Sequence, residues 1–143
     1  SMGGWLMLHI ALKIPSRIAA LVGIAAAPDF TTWGYPDDLK SQLARGHTIY
    51  EPNPYGPDPT PTHAHFWADG QDNLLLGAEI PLSCPVRLIH GQADADVPFA
   101  ISLTLAHQLC SDDVQVILVK DGDHRLSRAQ DIAIILGQIA SLG

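Results

Sequence analysis

The sequence predicts an α/β fold built on a parallel sheet. Three observations point there: strand-length apolar runs alternate with stretches of helical periodicity, the run from Ile18 to Ala27 is apolar throughout, and a long aromatic segment follows it before the next strand begins. A strand covered on both faces by crossover helices needs no polar side, so an uninterrupted apolar run fits the interior of a parallel sheet.

Taken in order, the chain opens on a helix. From Gly3 to Ile14 the side chains of Leu6, Met7, Ile10, Ala11 and Ile14 recur at helical spacing, and Pro15, which has no backbone N–H to donate, ends the pattern. The helix is entered directly from Ser1. Ile18 to Ala27 then forms the first strand. Val86 to His90 and Val114 to Val119 are two further strands, followed by helical stretches near Phe99 to Leu109 and Ser127 to Leu142.

Between Pro28 and Ile80 the composition changes. Seven of the nine aromatic residues fall there, with five prolines between Pro52 and Pro61. Pro36 to Gly46 reads as a short helix, with Pro36 in its first turn and Gly46 as its stop; the rest is expected to be irregular. Loops this long inside a compact domain are usually functional or disordered. Residues 28–80 are therefore expected to form a lid or pocket wall within one domain spanning 1–143, with Trp33, Phe66 and Trp67 against the substrate; the alternative is a disordered or merely structural excursion.

Composition excludes several classes of function. With 47 % hydrophobic and 16 % charged residues, the chain has the balance of one packed globular domain. A net charge of −7 with only eight scattered Lys and Arg gives no electrostatic footprint for nucleic acid. No apolar run approaches the roughly 18 residues that would span a bilayer. Nothing at the start resembles a signal peptide, although the chain opens inside a motif. The two cysteines, Cys84 and Cys110, offer neither a disulfide framework nor metal spacing, which favours reduced, structural thiols in an intracellular compartment.

Ser1, Asp94 and His124 supply a nucleophile, an acid and a base. A serine hydroxyl is a useful nucleophile when a sharp strand-to-helix turn projects it and a base takes its proton, which is the physical content of Gly-x-Ser-x-Gly. Gly3 occupies the last position of that pattern and Met2 offers a backbone N–H at the helix N-terminus for an oxyanion. The first glycine and the residue before the serine are not seen, so half of the motif is observed. The alternative takes Ser1 and Met2 as an appended pair, leaving Gly3-Gly4-Trp5 as an arbitrary helix start.

After Val86 to His90, Gly91 permits a tight turn at the carboxyl end of the strand, where open α/β sheets place ligands. Two carboxylates compete there. Asp94 is preferred as the acid, because Asp96 lies just ahead of Val97-Pro98 and can cap the next helix; His90 is expected to brace the loop. His124 lies on the short loop Asp121-Gly-Asp-His-Arg125 after the third strand and is the base of choice. His9 and His107 lie on helices. His63-x-His65 has the look of a metal pair but sits in a proline-rich stretch with no third ligand nearby, and no metal is expected.

With those contexts in place, the chain resembles the carboxyl-terminal half of an α/β-hydrolase. Ser-Met-Gly-Gly-Trp-Leu-Met-Leu-His with the Ala-Ala-Leu-Val-Gly-Ile-Ala strand, Cys84-Pro-Val-Arg-Leu-Ile-His-Gly, and Asp123-His-Arg-Leu-Ser-Arg are similar to the mitochondrial depalmitoylase and acyl-glucuronide esterase family and its bacterial relatives. The likeness fades between Trp33 and Ala64. It implies a truncated α/β-hydrolase fold: the nucleophile-elbow helix, the last three parallel strands with their helices, and a lid-like insertion. It further implies Ser1 as nucleophile, Met2 as oxyanion donor, Asp94 as acid and His124 as base, in a serine hydrolase of acyl esters or thioesters that needs no cofactor. Small-molecule or acylated-protein substrates follow, with a cytoplasmic location, or a mitochondrial one in a eukaryote.

The same likeness implies that five strands and the loop giving the second oxyanion N–H lie outside these residues, in a protein of about 250 residues. Two other functions remain open: a non-catalytic binding domain on the same fold, and a peptidase, since His-Gly-x-x-Asp-x-x-Val-Pro is also similar to the prolyl-oligopeptidase group.

Overall fold

The computed structural model describes residues 1–143. In chain order the elements are helix α1 (Met2–Lys13), a 3-10 turn (Pro15–Arg17), strand β1 (Leu21–Ile24), helices α2 (Phe30–Trp33) and α3 (Asp37–Ala44), strands β2 (Ile49–Glu51) and β3 (Thr60–Thr62), helix α4 (Ala64–Gln71), strand β4 (Val86–Gly91), helix α5 (Ala100–Gln108), strand β5 (Val114–Val119) and helix α6 (Ala129–Ser141). Two compact units result: Ser1–Pro28 with Leu75–Gly143, and Asp29–Leu74.

The first unit holds a parallel sheet in the order β1-β4-β5. β4 is central. It pairs with β1 from Leu21↔Val86 to Ile24↔Ile89 and with β5 from Val86↔Val114 to Gly91↔Val119. All six of its residues are buried, as a strand flanked on both edges and covered on both faces requires. Around it Leu8, Ala11, Leu21, Ile80, Leu82, Val86, Leu88 and Leu105 form the core. Arg87 is the exception inside this strand: its guanidinium reaches Asp113 Oδ1 at 2.8 Å, so the buried charge is paired.

The first strand is shorter than the apolar run Ile18 to Ala27 suggests. Ladder pairing covers only Leu21–Ile24, because the 3-10 turn delivers the chain late and Ala25, with φ of 45°, turns it out of the sheet. β1 is also an edge strand. The adjoining helix α1 buries Trp5, Leu8 and Ala11 on one side and leaves Met2, Leu6 and Ile10 exposed on another, so it is apolar on two faces. Ile132, Leu136 and Ile139 make a similar exposed row on α6.

The second unit corrects the expectation of an irregular segment. Besides α3, which matches the helix expected at Pro36 to Gly46, it contains α2, α4 and an antiparallel ladder from Ile49↔Thr62 to Glu51↔Thr60. Pro52, Pro54, Pro57 and Pro59 fall in the connection between β2 and β3, and Pro61 sits in a two-stranded ladder where a missing N–H is tolerated on the outward side. Side chains tie the helices of this unit together: Trp67 Nε1 donates to Thr31 O at 2.9 Å, Thr31 Oγ1 donates to Gln71 Oε1 at 2.8 Å, and the rings of Phe30 and Phe66 lie 6.0 Å apart.

Candidate active site

Parallel strands end on one side of their sheet, and the three chain segments that leave β1, β4 and β5 meet there. Backbone hydrogen bonds stitch them together: Ala25 N–H donates to Ile89 O at 2.9 Å, Gln92 N–H to Val119 O at 2.8 Å, and Ala93 N–H to Gly122 O at 3.0 Å. The loops that carry Asp94 and His124 are therefore joined before any side chain is considered. Their contact demands glycine on both sides, since a Cβ on Gly91 would collide with the Gly122 carbonyl and one on Gly122 with the side chain of Leu126.

Asp94 is held within this framework by its own loop. Its Oδ1 accepts from the backbone N–H groups of Asp96 at 2.8 Å and Val97 at 2.9 Å, and its side chain is fully buried. The other oxygen, Oδ2, lies 2.9 Å from His124 Nδ1. Burial pushes the carboxyl's pKa upward and is the largest single influence, but the Val97 N–H, the His124 ring and the Asp96 N–H together outweigh it. Asp94 therefore sits below its ordinary 3.8 and is ionised at neutral pH.

His124 rides on a loop braced at several points. Asp123 Oδ1 accepts from the N–H groups of Arg125 at 3.1 Å and Leu126 at 3.0 Å. Leu126 has φ of 47°, a left-handed conformation that costs a branched side chain about 1–2 kcal/mol, and its complete burial holds it there. Arg128 then clamps the loop to the following helix. It reaches Asp121 at 2.7 Å and 3.1 Å, and Asp131 at 2.8 Å and 2.9 Å. Asp131 raises the Arg128 pKa first and Asp121 second, while Arg128 lowers both carboxylates. The imidazole is 24 % exposed, so one side faces Asp94 while solvent reaches the ring.

Ser1 stands at the head of α1, beside the end of β1. Its carbonyl accepts from Gly4 N–H at 2.9 Å and Ala27 N–H at 3.1 Å, and its backbone nitrogen donates to Ile24 O at 3.2 Å. The hydroxyl itself makes no hydrogen bond to His124 in this structure. Met2 is the first helical residue, and its N–H has no carbonyl one turn earlier to bond.

The structure thus brings Asp94 and His124 into contact and sets Ser1 at the same end of the sheet. Asp96 does not cap the next helix as expected: the residue ahead of α5 is Phe99, and Asp96 is exposed. Ligand atoms of Asp94, Asp96 and His124 lie within 4.8 Å of one another, two of the three already bonded together. Trp33, Phe66 and Trp67 belong to the second unit, where Trp67 has the bracing bond described above. His63 Nδ1 lies 3.2 Å from Thr48 Oγ1. Cys84 and Cys110 are free thiols.

Some positions had no visible signal. The close approach of α1 to the sheet falls on Gly4, where a Cβ would collide with Ala26, whereas Gly3 faces open space. The clamp of Arg128 pairs residues three and seven apart, a spacing with meaning only once the loop and helix are known.

The parallel sheet and its flanking helices have the α/β-hydrolase fold, and the chain is similar to the carboxyl-terminal part of proteins with that fold. No protein-family model matches it. Over 146 residues it is 37 % identical to mouse palmitoyl-protein thioesterase ABHD10, mitochondrial, an alignment that covers 99 % of this chain and 49 % of that protein. The solved structure of mouse alpha/beta hydrolase domain-containing protein 10 superposes with a TM-score of 0.86 at 38 % identity, over 99 % of this chain and 58 % of that one. A structure from Agrobacterium vitis S4 gives 0.88 at 36 % identity, over the same 99 % and 58 %. The chain spans about half the length of the curated relatives it matches. No helix is long and apolar enough to cross a membrane.

Proposed function

We propose that the chain supplies the nucleophile, acid and base of a serine hydrolase acting on acyl esters or acyl thioesters. The observation that carries this reading is the 2.9 Å bond between His124 Nδ1 and the buried Asp94 Oδ2, at the end of the sheet where Ser1 heads its helix. An ionised Asp94 accepts from Nδ1–H, which fixes the tautomer in which Nε2 is free to take a proton.

In this mechanism His124 Nε2 removes the Ser1 hydroxyl proton as the oxygen attacks the acyl carbonyl. The imidazolium is stabilised by Asp94. Met2 N–H, aided by the positive end of α1, donates to the developing oxyanion. His124 then returns the proton to the leaving thiol or alcohol, and a water molecule repeats the sequence on the acyl-enzyme. No cofactor is called on.

The activity named for the ABHD10 relatives, palmitoyl-protein thioesterase, supports a long acyl chain on sulfur as substrate, carried by a protein or a small molecule. It also supports a mitochondrial location in a eukaryote. Trp33, Phe66 and Trp67 are proposed to wall the acyl chain. The open edge of β1 and the doubly apolar α1 support the view that further strands of the same fold cover them, and that these bring the second oxyanion donor.

A fluorophosphonate probe applied to the full-length gene product tests the reading. Labelling that disappears in Ser1→Ala and His124→Ala supports it, and undiminished labelling in Ser1→Ala ends it. Turnover of p-nitrophenyl acyl esters, acyl thioesters and a prolyl amide then separates esterase, thioesterase and peptidase.

A further inference from the structure

A second imidazole lies against Asp94. His90, near the end of β4, is fully buried; its Nδ1 is 2.7 Å from Ser102 Oγ on α5, and its Nε2 is 2.9 Å from Val97 O and 3.2 Å from Asp94 Oδ2. A carbonyl oxygen only accepts, so Nε2 carries the hydrogen. In the neutral ring Nδ1 is then an acceptor, and the Ser102 hydroxyl donates to it.

The Val97 residue is consequently gripped from both sides. Its N–H donates to Asp94 Oδ1 and its C=O accepts from His90 Nε2. With Oδ1 tied to two backbone N–H groups and Oδ2 packed 3.2 Å from His90 Nε2, the carboxylate is held in the orientation that presents Oδ2 to His124.

We propose that His90, anchored by Ser102, is a positioning residue: it locks the Val97 turn and with it the Asp94 carboxylate, and so sets the strength of the Asp94–His124 hydrogen bond. The inference rests on the catalytic reading of Ser1, Asp94 and His124. Three groups face the Asp94 carboxylate or its surroundings: His90 from β4, His124 from the loop after β5, and Asp96 from its own loop. Of these, His90 alone combines complete burial with a polarised N–H beside Oδ2.

The test uses His90→Leu, His90→Gln and Ser102→Ala in the full-length protein. Leucine removes the donor, and glutamine restores an N–H near the position of Nε2. In His90→Leu, kcat is expected to fall about ten- to a hundredfold with KM within about twofold, the scale of a small misplacement of the reacting groups. The acid limb of kcat/KM moves to higher pH, because an Asp94 whose bond from the Val97 N–H is loosened stabilises the imidazolium more strongly. The low-field proton resonance of the Asp94–His124 hydrogen bond shifts in step, a signature that needs no turnover. His90→Gln recovers most of both, and Ser102→Ala falls between. Folded variants with wild-type kcat, acid limb and low-field proton, altered only in thermal stability, would overturn the proposal; if His90→Leu does not fold, Ser102→Ala carries the same three readouts. A Ser1→Ala protein that keeps its activity would sink the catalytic reading instead, while the low-field proton still reports on His90.

Discussion

Gly91 and Gly122 meet backbone to backbone across the ends of the two strands that lead into the Asp94 and His124 loops. A methyl group on Gly91 has no flexible side chain to displace, only the Gly122 carbonyl and its neighbour Asp123. Gly91→Ala is therefore expected to separate the loops as well as strain them. The overpacking should cost about 1–3 kcal/mol in urea unfolding. Because Asp94 follows Gly91 by three residues and His124 follows Gly122 by two, fluorophosphonate labelling should slow by more than the lost stability accounts for. Labelling at the wild-type rate in the folded variant would contradict this.

Arg128 ties the two ends of the His124 loop, and its removal should be felt in rate before affinity. Arg128→Met keeps the aliphatic stem but abandons Asp121 and leaves the buried Asp131 with only the Arg128 N–H. A fall in kcat of about ten- to a hundredfold is expected, with KM little changed, as for loss of orientation in the reacting groups. Steady-state kinetics on an acyl ester checks it. A change confined to KM would point to a role in binding instead.

Acid should unfold the protein through a small set of carboxylates. Asp94, Asp121 and Asp131 all have folded pKa values below the ordinary 3.8. A depressed folded value means that the unfolded chain takes up protons first, so the stability these groups contribute is fully present above about pH 4 and is lost as pH falls through their lower folded values. Thermal midpoints measured between pH 7 and pH 2 should be flat above pH 5 and drop below 4. Replacing Asp94 with Asn should flatten part of that drop.

Leu88, in the middle of β4, is completely buried and belongs to the hydrophobic core cluster. Leu88→Ala should cost about 2–5 kcal/mol by chemical denaturation, the range for truncating a buried leucine. Tyr55→Ala, at a position 74 % exposed, is the matched control and should fall within about 0.5 kcal/mol of wild type.

Much of this architecture was legible in the sequence because it rests on local pattern. The strands at Val86 and Val114 and the helices after them follow from apolar runs and periodicity, and Asp94 and His124 follow from their places after strand ends. The segment from Phe30 to Trp67 was not. Its helices are short, and their stability comes from bonds such as Trp67 to Thr31 and Thr31 to Gln71, which link residues 36 and 40 apart and leave no periodic trace. The same reason hid Gly4 and the Gly91–Gly122 contact, since a close approach is a property of two segments and each glycine alone reads as an ordinary turn or helix start. The strand at Ile18 to Ala27 failed in the other direction. Alanine-rich apolar sequence does not mark where a ladder ends, and it was Ala25 that turned the chain.

The division of labour within the Asp94 carboxylate carries an implication for how this site could decay. One oxygen fastens the turn formed by Asp96 and Val97; the other serves the imidazole. Asparagine keeps a carbonyl for the turn while turning an amide toward His124, so a descendant that had abandoned hydrolysis could drift from aspartate to asparagine with its loop intact. Drift to alanine would forfeit the loop as well, and retired copies of this domain should therefore retain an acceptor at position 94 long after position 1 or 124 has changed.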